Sequence, residues 1–308
     1  MRDILVKSWR YIMKIKFLYP LILFGKCFME TRVCNCIIDY IERKINTERY
    51  ESHKHYFDSK KEEIEKNINY LSDKKSKVVY KNIINYRSTL NRGYLRGITD
   101  KRENQYFDSI IKFQPNELFI DCGAYVGDTL RSLEKHFDKW NSGKLTTISF
   151  EPDKFNFLKC KKEIKNIKKQ HSNYKGYCLK KGVWNQSTTL NFNEGQEYAS
   201  KLSLDTPCIC TVAVTSIDEI IRKYKTTNDE MVTFIKMDVE GSEPEALEGA
   251  INCILKDHPK LAISIYHTDE QMINIIEWIH RNAPFYSLYV RHYTYAWTET
   301  ILYAIDEN

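Results

Sequence analysis

The chain has 308 residues, 42% hydrophobic and 29% charged, with nine cysteines and a formal net charge of +6. These proportions exclude disordered and collagen-like classes, and an odd cysteine count with no secretory cleavage pattern ahead of it argues against a disulfide framework and for a reducing cytoplasm. The charge is uneven: residues 1–100 carry 21 Lys and Arg against 12 Asp and Glu, so from totals of 47 and 41 the remainder carries 26 against 29, a poor basis for a nucleic-acid groove there.

Met1 to Lys16 holds five basic residues and one acidic residue among Ile4, Leu5, Val6, Trp9, Tyr11, Ile12 and Met13. Such a helix packs its apolar stripe on the protein, or lies on an anionic membrane surface at the inner face. The apolar run Phe17 to Gly25 contains Pro20 and ends before Lys26; it is far short of the roughly twenty residues that span a bilayer. Residues 31–100 read as helical and polar: Ile37, Ile38, Tyr40, Ile41 and Ile45 recur near helical spacing. Lys60 to Lys66 is a mixed charge run, expected on a solvated helix face. Leu90-Asn-Arg-Gly93 suits a helix ending at a glycine.

From about residue 115, short β-rich runs alternate with amphipathic segments. Leu118–Asp121 and Thr146–Glu151 read as strands, and Thr129–Phe137 and Phe155–Lys169 as helices. Further strands are expected at 177–179, 189–192, 209–214, 232–238 and 261–266, with one helix from Pro244 to Leu255. This grammar predicts an α/β fold with a parallel sheet. The runs at 286–291 and 300–304 are joined too closely for a helix and predict an antiparallel edge.

Four places along this pattern could carry chemistry. Asp121-Cys-Gly-Ala-Tyr-Val-Gly127 follows the first strand and precedes a helix. Gly123 permits a tight turn and Gly127 a close approach, but the spacing is not that of a dinucleotide fingerprint. Asp121 would repel a diphosphate and suits a cationic cofactor such as S-adenosylmethionine; the alternative is a glycine turn present only for packing. At the second strand tip, Glu151 is placed to accept ribose hydroxyls, whereas Asp153 better fits a helix N-terminal acid. Asp238, Glu240, Glu243 and Glu245 lie at the carboxyl end of the strand expected at 232–238 and just beyond it. Asp238 is the ligand-facing member; Glu243 and Glu245 fit the first turn of the next helix, and no metal is expected because no His or Cys lies in the stretch. The next strand ends at His267, the preferred general base for deprotonating a hydroxyl, with Asp238 as second choice.

The combination of Asp121–Gly127, Phe150-Glu-Pro-Asp153, Ile235-Lys-Met-Asp-Val-Glu-Gly-Ser-Glu243, Tyr266-His267, Leu288–Tyr293 and Glu299–Ala304, running in order over roughly residues 105–304, resembles the FkbM family of methyltransferases. The resemblance implies a Rossmann-like class I methyltransferase fold: a seven-stranded, mostly parallel sheet of order 3-2-1-4-5-7-6 with an antiparallel C-terminal edge strand. It implies S-adenosylmethionine as cofactor and transfer to a hydroxyl. It places Asp121, Gly123, Ala124 and Gly127 around the methionine portion, Glu151 on the ribose, and Asp238 near the transferred methyl. Tyr125 stands where many members carry Asn.

The expected organisation is a basic helical region, 1–104, followed by a methyltransferase domain, 105–308. The expected acceptor is a small molecule or glycan, such as a sugar of a bacterial surface polysaccharide or glycolipid, with no nucleic acid and with peripheral membrane contact through residues 1–30. Tyr286, Tyr289, Tyr293, Tyr295 and Trp297 offer a stacking surface for a sugar ring. The rival readings are an RNA methyltransferase using the basic N-terminal region and a non-enzymatic glycan-binding module.

Overall fold

The structure, a computed structural model, describes residues 47–192, 202–203, 210–224 and 230–307. The basic start at 1–16, the membrane contact expected through 1–30, the apolar periodicity at 37–45 and the strand start at Ile209 lie outside those residues.

Seven strands form the main sheet: β1 (Asn116–Cys122), β2 (Lys144–Phe150), β3 (Tyr174–Leu179), β8 (Phe234–Met237), β9 (Lys260–Ser264), β10 (Ser287–His292) and β11 (Thr300–Ile305). Their spatial order is β10-β11-β9-β8-β1-β2-β3, the order the resemblance implies. All neighbours pair in parallel except those of β11, which runs antiparallel to both β9 and β10. The antiparallel strand therefore sits one place in from the edge, within the C-terminal pair.

Alternation along each strand divides the core in two. Phe119 and Phe234 face α4 (Asp128–His136) and α5 (Lys154–Gln170), where Leu130, Leu133, Cys160 and Ile164 are also buried. Ile120 and Ile235 face the other way, into a cluster shared with α9 (Asp269–Asn282) and with α2 (Lys61–Tyr70) and α3 (Lys74–Thr89). The first described helix, α1 (Thr47–Ser59), contributes Phe57 to the same cluster. Asn67 of α2, buried, donates to Tyr80 Oη and to Ile273 O of α9, so the polar N-terminal region is tied to the sheet layer by satisfied buried bonds.

Three expectations are corrected. Helix α3 ends at Thr89 rather than at Gly93: Leu90 takes the left-handed cap at φ 50° and donates its N–H to Tyr86 O, and residues 92–95 form a separate 3-10 turn. The helix expected over 244–255 is two helices, α7 (Glu243–Glu248) and α8 (Ile251–Asp257). Gly249 O is taken by Asp218 N, and the Asp218 carboxylate accepts Asn252 N and Cys253 N, so the ladder is cut and α8 is capped from outside. Asp218 lies in α6 (Ile217–Tyr224). Finally, the strands at 189–192 and 210–214 leave the main sheet. With β4 (Gly182–Val183) and β6 (Leu202–Ser203), β5 (Thr188–Phe192) and β7 (Cys210–Thr215) form a second sheet of order β4-β7-β5-β6 over a small core of Leu190, Val212 and Val214. Antiparallel pairing of β5 with β7 lets this excursion close on itself without a crossover helix.

Among the described residues, Cys122, Cys160 and Cys178 carry free thiols, and no helix is long and apolar enough to cross a membrane.

Candidate active site

Parallel strands bring their carboxyl ends to one edge. Asp121 is the last residue but one of β1, Glu151 follows β2, Asp238 follows β8 and His267 lies just beyond β9, so the four sequence-selected polar residues share one rim.

Asp121 does not face open space. Its side chain is fully buried, and β1 and β8 pair it in register with Lys236, whose Nζ lies 3.2 Å from Asp121 Oδ1. Burial raises the carboxyl's proton affinity and the Lys236 charge opposes that rise. Lys236 Nζ also donates to Cys122 O at 3.2 Å and Gly123 O at 2.7 Å, fixing the turn beyond β1. Burial alone would lower its pKa, but Asp121 and Asp238 outweigh burial and hold it charged.

The glycine turn is shaped by close approach. Gly123 has φ +81°, and a Cβ placed there would fall 1.8 Å from Asp238 O. Gly123 N and Ala124 N donate to Phe150 O, so these two donors pin the loop to β2. Gly127, also at φ +81°, caps α4, and a Cβ there would fall 2.9 Å from Glu163 Cβ of α5. Its bareness serves the packing of α4 on α5.

Glu151 is buried, and its carboxylate accepts the N–H groups of Tyr125 at 2.8 Å and Asp153 at 2.9 Å. Burial pushes its pKa up to about 7 against those two bonds. Asp153 is the N-cap of α5, accepting from Phe155 N and Asn156 N, as expected of the helix-start acid.

Asp238 is the most heavily held group. Tyr106 Oη donates to its Oδ2 at 2.7 Å, Tyr266 Oη to its Oδ1 at 3.3 Å, and His267 Nε2 lies 3.3 Å from Oδ1. Burial works against ionisation, yet His267, Lys236 and Tyr106 together carry the carboxyl well below its usual range. His267 Nδ1 lies 3.0 Å from Glu243 Oε1, and its Nε2 lies 3.6 Å from Glu240 Oε2. Burial would favour a neutral ring, but Glu243 and Asp238 raise its pKa well above the ordinary value.

The protonation state assumed for His267 is thereby corrected. An imidazole clamped between two carboxylates already holds its proton at neutral pH, and such a ring cannot take another. Asp238, held ionised, is a weak base. Glu240, half-exposed at φ 55°, has a carboxyl pushed up to about 7, first by loss of water and then by the charges of Asp238 and Glu243 against the pull of His267. Glu151 has a similar proton affinity, but its carboxylate is tied to two backbone N–H groups; Glu240, half-exposed, is the carboxylate suited to act as a base near neutrality.

Glu243 is also more than a first-turn acid. It is fully buried, accepts Val239 N at 2.8 Å and Gln271 Nε2 at 2.9 Å, and locks the loop of 238–243 to α9. Asp238, Glu243 and His267 each offer a ligand atom within 4.8 Å of the others, a spacing that a cation could use. The sequence window 234–245 concealed this because the histidine comes from the next strand. Tyr106 was missed too: it precedes the first strand, in a stretch with no periodicity.

The C-terminal aromatics separate. Tyr286 and Tyr293 are buried, donating to Pro259 O and pairing with Tyr303 Oη respectively, so neither can stack on a sugar. Tyr295 and Trp297 are exposed on the loop between β10 and β11, at the carboxyl edge. The guanidinium of Arg87 lies 5.7 Å from the Trp297 ring and donates to Tyr266 O at 2.9 Å, linking that loop to the His267 segment.

Residues 121–291 match the family model described as the methyltransferase FkbM domain. The chain is similar to the crystal structure of methyltransferase FkbM from Methylobacillus flagellatus KT, with 25% identity and a TM-score of 0.68, over 82% of this chain and 60% of that one. It thus spans about 60% of that relative's length. A putative rRNA-methylase from Clostridium thermocellum aligns at 13% identity and TM-score 0.41, over 68% of this chain and 98% of that one. The O-methyltransferase TomG from Streptomyces achromogenes aligns at 9% identity and TM-score 0.41, over 77% and 91%. No curated protein matches the sequence.

Proposed function

The chain belongs to the FkbM methyltransferase family, and from that premise we propose that it transfers the methyl group of S-adenosylmethionine to a hydroxyl of a small molecule or glycan. A sugar of a bacterial surface polysaccharide or glycolipid is the acceptor class. The observation that carries this reading is the convergence of Asp238, Glu240 and His267 at the strand edge, against a glycine turn whose Gly123 leaves no room for a side chain beside Asp238 O.

The residues present suit that donor. Sulfonium and ammonium are cationic, and the rim carries Glu151, Asp238 and Glu240 with Asp121 beneath it. When bound, S-adenosylmethionine supplies an electrophilic methyl on a good leaving group. Glu151, at the tip of β2, has lone pairs beyond its two backbone bonds for ribose hydroxyls. The turn from Asp121 through Ala124 to Gly127, with Asp238, holds the methionine portion. Tyr106, Tyr266 and His267 keep the Asp238 carboxylate in one orientation. Glu240 would take the acceptor hydroxyl's proton, and the donor would supply its methyl with cleavage of the methyl–sulfur bond and S-adenosylhomocysteine as leaving group, while His267, still protonated, would position the loop. Most of the rate gain then comes from alignment and exclusion of water. Trp297 and Tyr295, exposed beside this edge, give a sugar ring a face to stack on.

The decisive experiment is incubation with methyl-labelled S-adenosylmethionine and extracts of the producing cell. Label recovered in an O-methyl sugar supports the reading, and label confined to RNA or protein defeats it. Residues 1–30 are proposed to contact the membrane; unchanged partition into anionic vesicles after their deletion would count against that role.

A further inference from the structure

Helix α5 leaves β2 at the carboxyl edge, so its first turns stand beside the Asp121–Gly127 turn. Seven of its seventeen residues are lysine, one is acidic and none is arginine. All seven lysines are exposed, and among the described residues none of them forms an ion pair with a carboxylate. Its inner face is accounted for, since Cys160, Ile164 and Ile167 are buried against the sheet.

The outer face is unusual in carrying both charge and grease. Phe155 is 68% exposed and Leu158 53% exposed. Together with Lys159, Lys162, Lys165 and Lys169 they recur at the three- and four-residue spacing that keeps side chains on one side of a helix. The apolar pair sits at the end next to the site, and the lysines continue away from it. A shallow cavity of about 470 Å3, lined by Tyr125, Lys159 and Lys162 among others, joins this face to the glycine turn.

We propose that this face of α5 docks on an anionic phospholipid bilayer, with Phe155 and Leu158 entering the headgroup boundary and the lysine row lying over lipid phosphates. Charge complementarity selects an anionic partner, and the apolar pair selects one with a hydrocarbon boundary. A nucleic acid would use the lysines and could stack a base on Phe155, but an exposed leucine offers it neither stacking nor a hydrogen bond, and the arginine at the cavity, Arg131, is paired with Glu163 at 3.1 Å. The docked enzyme would present its glycine turn and cavity toward the membrane, where a lipid-borne acceptor would be met. The inference is independent of residues 1–30, and its lipid contact does not rest on the acceptor reading.

The test is co-sedimentation of the full chain with vesicles of phosphatidylcholine mixed with phosphatidylglycerol, and with phosphatidylcholine alone. Binding to the anionic vesicles only, weakened about tenfold or more both by K162Q/K165Q/K169Q and by F155S/L158S, is the expected result. It should also fall steeply with added salt. Both variants alter exposed side chains, and an unchanged Tm together with unchanged S-adenosylmethionine binding by calorimetry would show that fold and donor site are intact. Three results would overturn the proposal: no binding of the parent chain to anionic vesicles, binding unchanged in both variants, or a lysine-dependent affinity for RNA with no effect of F155S/L158S. Failure of methyl transfer with lipid binding retained would instead strike the acceptor reading alone.

Discussion

Lys236 Nζ and Asp121 Oδ1 lie 3.2 Å apart with both side chains sealed inside the sheet. The pair lies in register across β1 and β8, and the same ammonium holds the carbonyls of Cys122 and Gly123. An acid selected as a cofactor ligand is therefore foremost the counter-charge of the lysine that shapes the turn. Lys236→Met should leave Asp121 buried without a partner and cost about 3–5 kcal/mol. Urea melts would check this, and adding Asp121→Asn to the variant should recover part of the loss.

Gly123→Ala tests the turn itself. A Cβ at φ +81°, 1.8 Å from Asp238 O, cannot be accommodated unless the loop moves away from β8. The backbone term alone is about 1–2 kcal/mol, and the displaced loop adds to it. S-adenosylmethionine affinity by calorimetry should fall more than Tm does, because the displaced atoms belong to the donor site. An affinity that survives would place that site elsewhere.

His267→Ala should lower turnover and weaken donor binding together, because the ring holds Asp238 in the orientation that meets the donor. Donor binding left intact would show that Asp238 keeps its place without the histidine. The stabilisation has a pH sign as well. Glu243 and Asp238 raise the ring's pKa in the folded chain against burial, so the contribution is complete below about pH 6.5, the ordinary unfolded value. It fades as pH climbs through the folded value. Denaturant melts of His267→Gln should show the widest gap from the parent at pH 6 and a narrowing gap at alkaline pH.

Glu240 carries the prediction that separates base from clamp. With its carboxyl near 7, turnover of the parent should rise across neutrality as the group ionises. Glu240→Gln should flatten that limb and lower kcat roughly 10²-fold or more, with the donor's Kd little changed. A retained ascending limb would take the base role from Glu240 and assign the limb to Glu151, the other carboxyl pushed up to about 7.

The Asp238, Glu243 and His267 set also makes a prediction about cations. Its ligand atoms fall within 4.8 Å of one another, but a protonated His267 already supplies positive charge between the two carboxylates. Dialysis against EDTA should leave turnover unchanged. Activity lost on chelation and restored by a divalent ion would show that a metal displaces that proton.

Much of the main sheet was legible in one dimension. Leu118–Ile120 is a short apolar run and Thr146–Phe150 a short β-rich one, and helical spacing resumes between them, which is what the backbone requires of a βαβ unit. The acids at the strand tips were legible because a polar residue closing such a run marks the end of a strand, although Asp121 and Glu151 are themselves buried. Less legible were the excursions: β5 and β7 have ordinary strand composition, and nothing local says that they pair with each other rather than with the main sheet.

What lay beyond the linear pattern was every relation that needs a partner. Asp121 reads as an open ligand until β8 sets Lys236 across from it. His267 reads as a free base until α7 and the loop after β8 bring Glu243, Asp238 and Glu240 around it. Tyr106 cannot be tied to Asp238 before the chain has folded back over 132 positions. Periodicity and turn chemistry are local properties, written residue by residue, and they were enough for elements and for the rim they share. Proton affinity and ion pairing depend on distance and on exclusion of water, and those quantities exist only once remote segments have packed.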